Sequence, residues 1–326
     1  MVETTVRVVV TTKNAEATIC NCVDSLLELE GACKIAVIDG GSTDGTIGLL
    51  KEYGSKLDLI TGDFTRSEAY NHALKRFDED VFALVDADCE VHSTWLGDLI
   101  RSLNSDVGIV GGWFTTSKNS NFLEKLIGTE FYARKRRFNK QYVTRLNTGN
   151  MMFYRKVAVN VGGFNMRVRA NQDCDFSYKM LDAGYKIKYV PEADILHHHR
   201  SSWRRYFRQQ YSYARDLPTV LLNHKDRVSG DTTHPFTMTV QPMLLALWFL
   251  STLFLPMNHI PFTITSLILL LLWSYDATGI LRYSWRERVV ERKQLLMLSI
   301  ALLPLFMVRA FAWMLGGITY TIRKLK

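Results

Sequence analysis

The amino-acid sequence predicts an α/β fold, a mostly parallel sheet flanked by helices, followed by an amphipathic helix and C-terminal transmembrane helices. Three observations lead there. In the first half of the chain, short β-branched apolar runs alternate with stretches of helical spacing. Each run ends in a polar or glycine-rich cluster, as expected of parallel strands whose carboxyl ends meet a ligand. Beyond residue 235 the chain becomes almost continuously apolar, over lengths suited to a bilayer.

The elements follow in order. Val6–Val10 is the first strand, ending in Thr11-Thr12-Lys13-Asn14. Ala15 to Glu30 then places Ile19, Val23, Leu26 and Leu27 at helical spacing. The second strand, Lys34–Ile38, runs into Asp39-Gly40-Gly41-Ser42-Thr43-Asp44-Gly45-Thr46, where small residues permit close backbone approach and Asp44 can cap the next helix. A third strand at Leu57–Ile60 leads to Arg66 and Asn71. The fourth, Val81–Val85, delivers Asp86-Ala87-Asp88. Two carboxylates at a strand tip make a hard oxygen ligand set suited to Mg²⁺ or Mn²⁺ carrying a diphosphate; a solvated turn with a helix cap is the plainer alternative. For Thr12, Asn14 and Asn71, turn or cap chemistry competes in the same way with ligand contact. In a parallel sheet all four clusters converge on one crevice.

The ordered series TTKN at 11–14, VIDGGSTDGT at 37–46, TRSEAYN at 65–71, VDAD at 85–88, NTGNMMFYR at 147–155, GGFN at 162–165 and QDCDFSYKMLDAGYKIKYVPEA at 172–193 resembles the inverting glycosyltransferases of family 2, which have the Rossmann-like GT-A fold. The resemblance covers roughly the first 215 residues, and the combination is far more specific than any one motif. It implies a nucleotide-sugar donor and a Mn²⁺ or Mg²⁺ cofactor, with Asp88 as metal ligand and Asp86 beside it on the ribose or the metal. Asp39 would contact the nucleobase, Thr11, Thr12 and Asn14 would line the same pocket, and Arg66 would reach the base or diphosphate. Asp173 matches the family's catalytic base, and Gly149, Asn150 and Gln172 fall on the acceptor side. Where the family has a Glu-Asp pair this chain has Gln172-Asp173, so the acceptor contact of that missing carboxylate is in doubt. Asp175 is expected to cap a helix over Phe176–Ala183. Similar enzymes carry a His that approaches the metal or diphosphate, and His197 or His199 fits, since alternation points both to one side. The Gln-x-x-Arg-Trp motif of processive members is missing from Gln209–Arg215, which argues for transfer of a single sugar.

With 326 residues and 47% hydrophobic content, the chain has room for one large globular domain and an appendage. The expected division is a catalytic domain over 1–199, a membrane-interface region over 200–235 and a membrane domain over 236–326. Val240–Met257 and Ile260–Leu281 suit a helical hairpin turning at Asn258-His259. A third run, Gln294–Ile318, contains Pro304 and Arg309, so it spans, kinks or lies in the interface. Arg282, Arg286, Arg288, Arg292 and Lys293 on one flank, with Arg204, Arg205 and Arg208 on the other, place both flanks and the catalytic domain in the cytoplasm. The basic tail Arg323, Lys324 and Lys326 conflicts with a third full span. The sheet and crevice are complete before residue 235, so a chain cut there is expected to fold and bind donor.

The net charge of +8 does not point to nucleic acid, because of where the charge lies. Trp203, Tyr206, Phe207, Gln210, Tyr211 and Ala214 recur at helical spacing between Arg204, Arg205, Arg208 and Arg215. That pattern suits a helix lying in lipid headgroups or, alternatively, one packed on the domain. Arg134-Lys135-Arg136-Arg137 is a second basic cluster, facing anionic lipid, acceptor phosphate or solvent. Cys20, Cys22, Cys33, Cys89 and Cys174 show neither zinc nor disulfide spacing. The N-terminus shows no cleavable signal, so targeting is expected from the C-terminal helices. The resulting expectation is an integral membrane enzyme of the cell membrane. It would take mannose from GDP-mannose, or another sugar from a UDP-sugar, to a polyprenyl or dolichyl phosphate or an oligosaccharide on such a lipid.

Overall fold

The computed structural model describes residues 4–138, 141–227, 230–234, 236–256, 258–288 and 291–325. Pro235, Met257 and Lys326, each an end point of a sequence expectation, lie outside the described residues. The chain forms two compact units: Met1–Lys118 with Phe138–His198, and Asn119–Arg137 with His199–Lys326. The inclusion of 119–137 in the C-terminal unit is a division that the sequence did not mark.

The first unit is built on two sheets. Its strands are β1 (Val6–Thr12), β2 (Lys34–Asp39), β3 (Asp58–Thr61), β4 (Val81–Asp86), β5 (Cys89–Glu90), β6 (Val107–Gly111), β7 (Phe114–Thr116), β8 (Tyr142–Val143), β9 (Asn150–Tyr154), β10 (Lys186–Tyr189) and β11 (Ile195–His197). The main sheet runs β3-β2-β1-β4-β9-β6-β10-β8, and a small one runs β5-β11-β7. The pairs among β1 to β4 are parallel, as the alternation with helices requires, and β9 enters antiparallel between β4 and β6. Continuous apolar runs fit this arrangement, because α1 (Ile19–Leu27), α2 (Thr46–Lys51), α3 (Arg66–Arg76), α4 (Trp95–Ile100) and the later α6 (Arg155–Asn160) and α7 (Gln172–Asp182) accompany strands whose side chains are buried on both faces.

One buried charge breaks the apolar pattern of β1. Arg7 is 4% exposed and donates through Nε and Nη2 to both oxygens of Glu79, at 3.1 and 2.8 Å. It also pairs with Asp58 and lies 3.9 Å from the Phe77 ring centroid. Burial by itself raises the Glu79 carboxyl, but the Arg7 hydrogen bonds outweigh it and hold the group below the usual range. A depressed folded value means that this stabilisation is present above the unfolded carboxyl value and is lost as pH falls through the folded one. Glu79→Gln is therefore expected to cost roughly 3 kcal/mol near neutral pH, the low end for breaking a buried pair, and to flatten the acid side of the stability profile. Chemical denaturation at neutral and acidic pH measures both; an unchanged profile would remove the pair from the stability argument.

The second unit is helical: α5 (Phe122–Ala133), α8 (Trp203–Asn223), α9 (Phe236–Thr252), α10 (Ile260–Arg286) and α11 (Leu295–Leu325). Its core joins Leu123, Leu126 and Ile127 of α5 to Leu245, Leu269, Trp273, Leu298 and Leu302. Two stretches, Ile260–Arg286 and Arg292–Leu325, are long and apolar enough to cross a membrane. α9 has 17 residues, about 25 Å, and falls short of a 30 Å hydrocarbon core, so the first arm expected of the hairpin is a shorter helix than its apolar run. α11 continues through Pro304.

The expectation that the apolar face of α8 lies free for lipid needs correction. Tyr206, Gln210 and Ala214 are buried, Gln210 Oε1 accepts from Trp313 Nε1 at 3.0 Å, and Tyr211 Oη donates to Thr319 at 2.9 Å. A side chain at Gly316 would lie 2.7 Å from the Tyr211 carbonyl, so α11 and α8 approach at backbone distance there. Much of that face is spent on α11. Trp203, Arg204, Arg205 and Arg208 remain exposed.

Candidate active site

The strand register assembles the site. Thr12 is paired with Asp39 across β1 and β2, and Thr11 with Asp86 across β1 and β4, so these residues stand level at the carboxyl ends of three adjacent parallel strands. Thr11 Oγ1 lies 3.3 Å from Tyr70 Oη, and the Thr12 hydroxyl is buried without a hydrogen-bond partner among the described residues.

The loops around this line hold themselves in place. The Asp39 carboxylate is fully buried and accepts from the Gly41 and Ser42 amides at 2.9 and 2.8 Å and from the Ser42 hydroxyl. Asn14, in the left-handed region at φ 55°, accepts from the Thr43 amide at 2.8 Å, while its own amide donates to Ser42 Oγ. Asn14 thus carries the turn chemistry that competed with ligand contact in the sequence reading. Asn71 does the same for the 162–165 loop, donating to the Phe164 carbonyl at 2.7 Å and accepting from its amide at 2.9 Å. A side chain at Gly40 would lie 2.6 Å from the Phe64 carbonyl, which is why glycine follows Asp39. Asp44 accepts from the Thr46 amide and hydroxyl, and the hydroxyl bond holds its carboxyl below the usual range. Arg66 opens α3 behind a Thr65/Glu68 capping box.

The residues expected at the metal are joined through the small sheet. β11 pairs antiparallel with β5, setting His197 opposite Cys89, and the His198 amide donates to the Asp88 carbonyl at 2.8 Å. His197 Nε2 thereby comes within 3.5 Å of Asp88 Oδ1. The potential ligand atoms of Asp88, Cys89 and His197 all lie within 4.8 Å of one another. The carboxylate fits Mn²⁺ or Mg²⁺, the imidazole is better suited to a transition ion than to Mg²⁺, and the thiol is a soft donor that neither ion favours. His199 belongs to the second unit, its ring 6.0 Å from that of Phe131. His198 pairs with Glu90.

The residues expected on the acceptor side divide. A side chain at Gly149 would lie 2.9 Å from Asp86 Oδ2, so only glycine lets this loop lie against that carboxylate. Asn150 is completely buried: it accepts from Trp95 Nε1 at 2.9 Å and donates to the Trp113 and Ala193 carbonyls at 3.1 and 2.8 Å. Its side chain braces the fold. Asp173 sits in the first turn of α7 with Oδ2 3.5 Å from Arg145 Nε, each side chain 13% exposed. Gln172 is buried, its Nε2 3.4 Å from Thr148 Oγ1. The helix begins earlier than the sequence suggested, because Asn171 enters it in the left-handed conformation at φ 64°. Asp175 therefore lies inside α7, fully buried and 3.2 Å from Lys179 Nζ, instead of capping a helix that starts at Phe176.

Two residues of this region escaped the sequence reading. Tyr70 lies at the centre of a polar chain linking Thr11 and Thr148, and burial, reinforced by the Asp86 charge, pushes its phenol well above the ordinary value. The helical spacing of Ala69, Tyr70, Ala73 and Leu74 marks that face as buried, and a buried tyrosine hydroxyl needs a partner. Arg145 carries no local signal; it meets Asp173 only through the tertiary fold.

Comparisons with known proteins bear on the family and the fold. Residues 7–163 match the family described as Glycosyl transferase family 2. Among curated relatives, glycosyltransferase AglE of Haloferax volcanii is 23% identical over 185 residues, covering 54% of this chain and 60% of the relative. The O-antigen chain rhamnosyltransferase WbaN of Salmonella anatum is 26% identical over 191 residues, covering 53% of this chain and 60% of the relative. The chain thus spans about 60% of the length of these relatives. Among solved structures, the mannosyltransferase PcManGT of Pyrobaculum calidifontis, in complex with GDP-Man and Mn²⁺, superposes with a TM-score of 0.54 at 18% identity, over 98% of this chain and 86% of that one. That likeness shows the fold. Together the two comparisons show a GT-A-like fold and a match of residues 7–163, just under half of the chain, to glycosyl transferase family 2.

Proposed function

We propose that the chain is an inverting transferase that moves one sugar from a nucleoside diphosphate to a lipid-linked acceptor, a polyprenyl or dolichyl phosphate or an oligosaccharide on one, at the cytoplasmic face of a membrane. The observation that carries the reading is the approach of His197 to Asp88 beyond the tip of β4, next to the level line of Asp39, Thr12, Thr11 and Asp86. Loss of the diphosphate builds negative charge on the leaving group, and a divalent metal held by Asp88, Asp86 and His197 would supply the Lewis acidity that stabilises it. Thr11, Thr12 and Arg66 orient the nucleotide. Where the acceptor is a sugar hydroxyl of a lipid-linked oligosaccharide, Asp173, held by Arg145, takes its proton as the oxygen attacks the anomeric carbon from the face opposite the diphosphate. A polyprenyl or dolichyl phosphate attacks through its own anionic oxygen. The anomeric carbon–oxygen bond to the diphosphate breaks as the new one forms, which inverts the configuration. Gly149 and Gln172 border the acceptor side.

The membrane assignment is supported by the length and apolar character of α10 and α11. Mannose from GDP-mannose is the preferred donor, because the similar Pyrobaculum enzyme holds GDP-Man and Mn²⁺.

A thermal-shift series on the full chain with GDP or UDP, with and without Mn²⁺ or Mg²⁺, tests the reading, since a ligand that binds only the folded state raises Tm. GDP with Mn²⁺ is expected to stabilise more than either alone, and Asp88→Ala is expected to abolish that enhancement. A selective UDP response would move the donor to a UDP-sugar. Intact metal enhancement in folded Asp88→Ala would remove Asp88 from the site.

A further inference from the structure

Cys89 is a metal donor that the transfer chemistry leaves unused. It opens β5 directly after Asp88, and the antiparallel pairing of β5 with β11 sets it opposite His197. Residues opposite one another on antiparallel strands put their side chains on one face of the sheet, with Cβ atoms about 4.5–5.5 Å apart. The Cys89 sulfur, an Asp88 carboxylate oxygen and a His197 ring nitrogen accordingly lie within 4.8 Å of one another. Three atoms so spaced share a point within about 2.8 Å of each, so shifts of less than about 1 Å bring all three to the 2.0–2.3 Å bond lengths of a zinc ion.

The separation of two of these donors points the same way. His197 Nε2 and Asp88 Oδ1 are 3.5 Å apart, and two ligands at tetrahedral angle on Zn²⁺ stand about 3.4 Å apart. The Asp88 and His197 side chains are 18% and 17% exposed whereas Cys89 is fully buried, so an ion reaches the cluster past the carboxylate and the imidazole, with the thiol behind them. Carboxylate, imidazole and thiolate together form a borderline donor set that suits Zn²⁺ and not Mg²⁺. Cys22, also buried, is engaged elsewhere: its sulfur lies 3.6 Å from the Asp86 carbonyl.

We propose that Asp88, Cys89 and His197 form a zinc site that competes with the Mn²⁺ or Mg²⁺ ion of sugar transfer, so that Zn²⁺ inhibits the protein. A hard six-coordinate ion held by oxygen ligands keeps several positions open for diphosphate oxygens. With Cys89 bound as well, Zn²⁺ has three protein ligands, and a tetrahedral shell leaves it one position. One position takes a water or a single oxygen, not the paired oxygens of a nucleoside diphosphate. The thiol gives its proton to solvent as the sulfur–zinc bond forms. Zinc stands above manganese in the affinity order of divalent ions, so it prevails at the shared ligands. The zinc site stands on the donor cluster alone; the inhibition rests on the transfer reading above.

The experiment uses the full chain in nonionic detergent and reads binding without turnover. Co²⁺ stands in for Zn²⁺, because a cobalt–thiolate bond gives a near-ultraviolet charge-transfer band. Wild type is expected to show that band and to lose it when Zn²⁺ displaces Co²⁺. Cys89→Ser is expected to lack the band and to bind Zn²⁺ roughly a hundredfold more weakly against a chromophoric chelator. Its Mn²⁺ affinity should stay within about threefold of wild type, since that ion gains little from a thiol. Cys22→Ser should keep both the band and the zinc affinity. Zn²⁺ alone should raise Tm, yet fail to enhance the response to GDP as Mn²⁺ does. Absence of the charge-transfer band in wild type would overturn the site, and that measurement needs no variant to fold. Wild-type Zn²⁺ affinity in folded Cys89→Ser would overturn it as well. Enhancement of GDP binding by Zn²⁺ equal to that by Mn²⁺ would overturn the inhibition. Thiol-dependent zinc binding in a chain that answers no nucleotide with any ion would uphold the site and defeat the transfer reading.

Discussion

Asp173→Asn is expected to lower sugar transfer by roughly 10²–10⁴-fold, the range for losing a general base, while leaving donor and metal affinity near wild type. The substitution keeps the size of the side chain and one carbonyl oxygen to face Arg145, 3.5 Å away in the wild type, so stability should change little. That combination separates a base from the alternatives. A metal ligand would lose nucleotide affinity, and a helix-start residue with only a structural role would lower Tm. Single-turnover transfer at saturating acceptor, measured beside the GDP and Mn²⁺ thermal shift, reads all three. Near-native turnover in a folded protein would mean that another group takes the proton.

Ending the chain at residue 234 is expected to abolish soluble protein. From sequence alone the opposite follows, since every strand and every motif of the crevice lies before that point. The difference is α5. Leu123, Leu126 and Ile127 bury themselves against Leu245, Leu269, Trp273, Leu298 and Leu302, all of which the truncation removes. Exposing three such side chains costs about 5–9 kcal/mol, comparable with the whole stability of a typical domain. Glu130 would also lose Arg309. Size-exclusion chromatography of the truncated chain should show aggregate. Replacing 119–137 by a short polar linker in the same truncation should restore a monomer that responds to GDP and Mn²⁺. A monodisperse truncated chain with the intact segment would show that α5 does not need its partners.

Strands β1, β2 and β4 were legible because strands buried on both faces read as unbroken apolar runs, and because their ends carry residues chosen for turns. Asp39, Asp86 and Asp88 could be placed on that basis, with roles supplied by family resemblance. The pairing of His197 with Asp88 depends on β5 and β11, elements of two and three residues that carry no periodic signal. For the same reason Arg145 was invisible as a partner of Asp173. Asn150 shows a different limit: a conspicuous polar residue in a motif proved to brace Trp95 and two carbonyls. On α8 the period was right but its meaning was not, since a helical face of Tyr206, Gln210 and Ala214 reads the same whether lipid or α11 covers it. Spacing tells that a face is covered, and only the fold tells by what.

The placement of α5 also sets an order of events during synthesis. Its last residue, Ala133, is made 192 residues before Leu325 at the end of α11. At roughly 5–20 residues per second, the helix waits about 10–40 s for its full set of neighbours. Throughout that interval its leucine face and the Glu130 carboxylate have no permanent home, although the first strands can already pair around it. The nascent chain therefore carries one unburied apolar helix while the rest is still being made. Slowing translation across the C-terminal third should raise the fraction of newly made chain that is captured by chaperones, and the captured segment should map to residues 122–133.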